Sequence, residues 1–94
     1  MIKQSRPSKD GSRKLTFSLP GNHPAGIISV VGTFNDWTPG VHVMRRRSNG
    51  TISTTIAVPA GSDVRFRYLG ENGAWFDDPD ADALTHEGGL VRVS

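Results

Sequence analysis

Val64-Arg65-Phe66-Arg67-Tyr68-Leu69 is the stretch on which the fold turns. Val64, Phe66 and Tyr68 alternate with Arg65, Arg67 and Leu69, a period of two that gives a strand one buried and one largely polar face. The same period runs upstream from Lys14 to Leu19, where Leu15, Phe17 and Leu19 oppose Lys14, Thr16 and Ser18. Ile27 to Val31 is apolar apart from Ser29 and reads as a more central strand, which passes through Gly32 and Thr33 to Phe34 before Asn35 to Gly40 turn the chain. Val41 to Arg46 alternates weakly and reads as an edge strand, and Asn49-Gly50 joins it as a hairpin to Thr51 to Val58. Trp75-Phe76 and Leu90 to Val93 bring the total to about seven short strands separated by Gly, Pro, Asn and Asp, the pattern of a two-sheet sandwich. The longest stretch free of Gly and Pro is residues 41–49. An average helix needs about 11–12 residues without breakers, so an all-α fold is excluded.

At 94 residues and 10.2 kDa the chain fits one domain. Residues 1–12 mix charge, Ser, Pro and Gly without periodicity and are expected to form a flexible N-terminal arm, leaving 13–94 as a single β-sandwich. No cysteine is present, so packing rather than disulfides or Cys-ligated metal must stabilise the core. No apolar run approaches the length of a spanning helix, and no apolar stretch of the secretory kind follows Met1. The expectation is a cytoplasmic protein with no membrane partner. The net charge of +2 is small but unevenly placed. Residues 1–14 hold Lys3, Arg6, Lys9, Arg13 and Lys14 against Asp10, whereas 71–87 hold Glu71, Asp77, Asp78, Asp80, Asp82 and Glu87 with no Lys or Arg.

Both tryptophans fall where a sheet protein displays side chains: Trp37 in the turn after Phe34-Asn35-Asp36, and Trp75 just after the loop from Gly70 to Gly73. With Val30-Val31-Gly32-Thr33-Phe34-Asn35-Asp36-Trp37, Phe66-Arg67-Tyr68, Gly73-Ala74-Trp75 and Asp78-Pro79 in this order, the chain from about residue 14 onward resembles carbohydrate-binding module family 48. That family includes the glycogen-binding domain of the AMP-activated protein kinase β subunit and the N-terminal early-set domains of isoamylases and branching enzymes. The resemblance implies an immunoglobulin-like, early-set sandwich that binds α-1,4-linked glucan of the glycogen or starch type without catalysis. It also implies that Trp37 and Trp75 are stacking platforms and that Arg67 stands where the family has a basic residue. A pyranose has an apolar C–H face and a hydroxyl rim, so an indole covers the face while a cation or amide meets the rim. At about 25 cal/mol/Å², covering on the order of 100 Å² per ring contributes ~2–3 kcal/mol before ordering losses, which points to millimolar rather than nanomolar binding. The chain departs from the family at Asp80 to Gly89, a segment several residues shorter, with Gly88 where the family has a sugar-bonding Asn. Asn72, Thr85, His86 and Glu87 are the candidates to replace it, Asn72 foremost.

Each residue also has a plainer reading. Trp37 could plug the space under its turn, and Arg67 could be a solvated strand residue paired with Glu71 or another acid, a contact worth ~0–1 kcal/mol. Asp78-Pro79-Asp80-Ala81-Asp82 begins like a calcium loop but lacks the Gly and the final Glu, and the three histidines have no zinc spacing, so no metal and no cofactor is expected. No nucleophile or phosphate-binding motif occurs, and a sandwich of this size offers little depth for a desolvated carboxylate pair, so catalysis by the chain alone is not expected. Arg45-Arg46-Arg47 lacks interleaved aromatics, which disfavours nucleic acid and favours an edge protected from aggregation. The expected partner is an α-glucan oligosaccharide or polysaccharide. The alternative is a protein-interaction module with a degenerate sugar site, docked on a glycan-metabolising enzyme or a kinase-type chain.

Overall fold

The two alternating stretches become the two central pairings of the protein. In a computed structural model, which describes residues 1–24 and 26–93, β2 (Ser12–Pro20) pairs along its whole length with β5 (Thr51–Pro59), from Ser12 opposite Pro59 to Pro20 opposite Thr51. β6 (Asp63–Gly70) pairs with β3 (Ile28–Gly32) on one side, with Val30 opposite Tyr68 and Val31 opposite Arg67. Its other side takes β9 (Gly88–Arg92) along Asp63 to Phe66 and β7 (Trp75–Phe76) along Tyr68 and Leu69. β1 (Ile2–Gln4) and β4 (Arg45–Arg46) complete the first sheet in the order β1-β2-β5-β4, and β8 (Ala83–Thr85) completes the second as β3-β6-β9-β8 with β7 on β6. The fold is thus an all-β sandwich of two antiparallel sheets.

The inward faces meet in an aromatic cluster. Phe17 of the first sheet lies 4.6 Å from Phe66 and 6.4 Å, edge-on, from Tyr68 of the second, and all three rings are fully buried. Leu15, Val30, Ile56 and Val64 fill the space around them. The Tyr68 hydroxyl donates to Asp78 Oδ2 at 2.6 Å, and Asp78, itself 2% exposed, also accepts the Asp80 N–H at 2.8 Å. Burial first, and then this acidic acceptor, push the Tyr68 phenol far above its ordinary value.

Two expectations differ from what forms. Nine strands appear among the described residues rather than about seven, because β1 and β8 add to the sandwich. β1 lies in the stretch 1–12 read as a flexible arm. Ile2 pairs opposite Phe17 and packs against the core, a partner that three residues of sequence are too short to announce. The segment 41–46 is not one edge strand. Val43 bridges to Ser29 of the second sheet, the His42 carbonyl accepts the Val30 N–H at 2.8 Å, and two residues later Arg45 and Arg46 pair with Ser53 and Ile52 of the first. The chain passes from one sheet to the other here, which is why its alternation is weak.

Candidate functional site

Antiparallel partners share a face, so the register defines the outward surface of the second sheet. Arg65, Arg67 and Leu69 of β6 point outward while Val64, Phe66 and Tyr68 point in. Across the sheet, Val43, Ser29, Leu69 and Trp75 form one row of successive partners on that outward face. Trp75 ends the row with 51% of its surface exposed. Its hairpin is closed by the Gly70 N–H donating to the Ala74 carbonyl at 2.9 Å and by the Ala74 N–H donating to Asn72 Oδ1 at 3.1 Å. Asn72 is therefore exposed at the tip with its carbonyl oxygen engaged in the turn, leaving its amide N–H groups toward solvent.

Trp37 follows the end of β3 by way of a short turn. After β3 the chain makes a single 3-10 turn, Thr33–Asn35, and both Asp36 (φ 55°) and Trp37 (φ 58°) take the left-handed conformation that costs a side-chain-bearing residue energy. Asn35 closes this turn from within. Its Oδ1 accepts the Gly32 N–H at 3.0 Å, its Nδ2 donates to the Val30 carbonyl at 2.9 Å, and the same Nδ2 lies 3.0 Å from His42 Nδ1. The Trp37 N–H in turn donates to the Gly32 carbonyl at 2.9 Å. Gly32 cannot be larger, since a Cβ there would lie 2.3 Å from the Arg65 carbonyl oxygen. The indole of Trp37 is half-buried, between the platform and the plug that the sequence allowed. Gly32 is level with Phe66 and Trp75 with Leu69. Strand rise and spacing therefore separate the backbone at Gly32 from that at Trp75 by roughly 14 Å in the plane of the sheet.

Arg67 lies on this face, with its guanidinium engaged by the neighbouring loops. Its Nη2 donates to the His86 carbonyl at 3.0 Å, and its Nε, a buried atom without a hydrogen-bond partner, lies 3.4 Å from Asp77 Oδ1 in an ion pair whose two side chains are each 35% exposed. The stem crosses Gly88 so closely that a Cβ on that residue would stand 2.7 Å from Arg67 Cγ. Arg67 therefore ties the turn before β9 to the end of β7. Its acid is Asp77, not Glu71. Thr85 is likewise engaged, its hydroxyl donating to the Gly88 carbonyl at 2.9 Å and accepting the Glu87 N–H at 3.1 Å.

The acidic run also has local partners: Asp78 takes the Tyr68 hydroxyl, and Asp82 Oδ2 accepts the Arg92 N–H at 2.7 Å. Arg47 donates to the Ser53 hydroxyl at 2.7 Å and Arg46 to the Gly21 carbonyl at 3.3 Å, which fastens the arginine run to the edge of its own sheet. Two grooves of about 530 and 500 Å³ open elsewhere, one beside Lys3, Leu19 and Asn49 and one beside Asn22, Arg46 and Glu71. Trp37, Arg67 and Trp75 line neither. Leu69 and Val43, which continue the Trp75 row, and His42, which meets Asn35, went unnoticed in the sequence, because cross-strand register is not written in any one segment. Leu84, 64% exposed on β8, pairs opposite Gly89 and so belongs to the opposite face from Arg67.

No protein-family model matches the chain. An alpha-amylase of Niallia circulans is 34% identical over 61 residues, covering 62% of this chain and 5% of that protein. A 1,4-alpha-glucan branching enzyme, GlgB 1, of Rhizobium johnstonii is 38% identical over 66 residues, covering 68% of this chain and 9% of that protein. The chain therefore spans less than a tenth of either relative. It is a glucan-enzyme-related β-sandwich domain. No helix among the described residues is long and apolar enough to cross a membrane.

Proposed function

We propose that this domain binds α-1,4-linked glucan of the glycogen or starch type on the open face of its second sheet, without catalysing a reaction on it. The observation that carries the reading is Trp75, a half-exposed indole at the end of an outward row with Leu69, in a chain related to an alpha-amylase and a branching enzyme. An exposed indole beside an aliphatic side chain offers a pyranose ring the apolar surface it lacks in water. Trp37 supplies the second contact along the face, and Asn72 directs its amide N–H groups at the hydroxyl rim. Arg67, held by Asp77 and His86, contributes mainly by fixing the loop beside the site, and Nη1 is left to meet a hydroxyl. With one full platform, one half-buried ring and few convergent polar groups, affinity falls in the millimolar range. The experiment is a titration of the domain with maltoheptaose and β-cyclodextrin followed by tryptophan fluorescence. The expected result is a saturable change that Trp75→Ala abolishes. A flat response at millimolar sugar overturns the reading.

A further inference from the structure

We propose that His42, acting through Asn35, positions Trp37, and that protonating His42 releases that corner of the binding face. Asn35 Oδ1 receives the Gly32 N–H, so Nδ2 is the atom facing both the Val30 carbonyl and His42 Nδ1. Its two hydrogens go one to each. His42 Nδ1 must then be an acceptor, which a neutral imidazole with its proton on Nε2 provides and an imidazolium does not, because both ring nitrogens of the charged form are donors. Turning the amide over does not rescue the contact. It would set an NH2 against the Gly32 N–H and a carbonyl oxygen against the Val30 carbonyl, losing two bonds to make one.

What Asn35 holds is a turn that needs holding. The bonds from Asn35 to Gly32 and Val30 close the loop in which Asp36 and Trp37 both sit in the left-handed region, and the Trp37 backbone is fastened to the same Gly32. Strain of this kind persists only where the surroundings over-determine it. The imidazole is half-buried, edge-on to Phe34 of the same turn at 5.3 Å, and its backbone is fixed to Val30, so it cannot simply leave. The charged groups on the surrounding elements are Asp36 in the turn, Arg45 and Arg46 on the strand that follows, and Arg65 and Arg67 on β6. None of them forms an ion pair with the ring among the described residues. Acid therefore sets an N–H against an N–H2 at the point where the turn is closed. His42 is a positioning residue, and its link to sugar affinity rests on the glucan-binding reading above.

The test separates the two. In Trp75→Phe protein, where Trp37 is the single indole, the Trp37 ring N–H resonance is followed from about pH 7.5 to about pH 5, the interval in which imidazoles change charge. The expected result is a shift that tracks His42 protonation in the histidine ring signals. His42→Gln, which keeps an acceptor but does not titrate, should hold the neutral position throughout, and His42→Phe should show the acid position at every pH. A Trp37 signal that stays fixed while His42 titrates overturns the proposal, as does a shift that survives in His42→Gln and so originates at His23 or His86. In the unmodified protein, maltoheptaose affinity should fall by about tenfold between the two pH values and stay level in His42→Gln. Absence of sugar binding at neutral pH defeats the functional reading alone, because the indole titration needs no sugar.

Discussion

Arg67 illustrates how a side chain on an outward face can be engaged by its own chain. The two-residue period puts it on the outward face, as the alternation around Phe66 requires, but its guanidinium is drawn to Asp77 and the His86 carbonyl, groups ten and nineteen residues away. No spacing in the sequence announces that. Removing it should therefore register in stability as well as affinity. Arg67→Ala leaves Asp77 and the His86 carbonyl to solvent, and urea unfolding is expected to show a loss of roughly 1 kcal/mol, the scale of one hydrogen bond and a partly exposed ion pair. Trp75→Ala should do the reverse, abolishing the fluorescence response to sugar while shifting the unfolding midpoint little, because half of that ring already meets water. Trp75 was legible because its hairpin is local, with Gly73 and Asn72 marking the turn. The half-burial of Trp37 was not, since it depends on Asn35 reaching across to Gly32, Val30 and His42.

At the scale of elements, the strands with clean alternation, β2 and β6, were readable residue by residue, since each keeps one partner face throughout. The segment from Val41 to Arg46 was not, because it changes sheets within four residues and its side chains answer to two different environments. The turn before β9 belongs to the same class of feature. Gly88 has φ 111° and lies under Arg67, and a Cβ would meet the Phe66 carbonyl oxygen at 2.5 Å. Gly88→Ala is expected to destabilise the fold by roughly 2 kcal/mol or more, from backbone strain and displacement of Arg67 together, read as a lower denaturation midpoint. If Gly88→Ala unfolds at the same denaturant concentration as the parent, the turn is freer than described.

For the whole molecule, Tyr68 joins the layers, packing against Phe17 of one sheet and Phe66 of the other while bonding Asp78 in the loop that follows β7. It is the chain's single tyrosine, so phenolate absorbance reports on it alone. Its folded-state value is raised above the ordinary 10, so the unfolded chain releases this proton first. Stability from this group is fully present below about pH 10 and declines above it, by up to roughly 1.4 kcal/mol per pH unit. Alkaline titration should show phenolate appearing only with loss of the fold, and Tyr68→Phe should flatten the alkaline slope. A smooth phenolate rise in a folded protein near pH 10 would contradict the burial. One further property follows from the chain's crossing between Val43 and Arg45. The two layers share a covalent seam as well as a greasy interior, so a load placed on one is passed to the other through the few residues of peptide backbone between Val43 and Arg45.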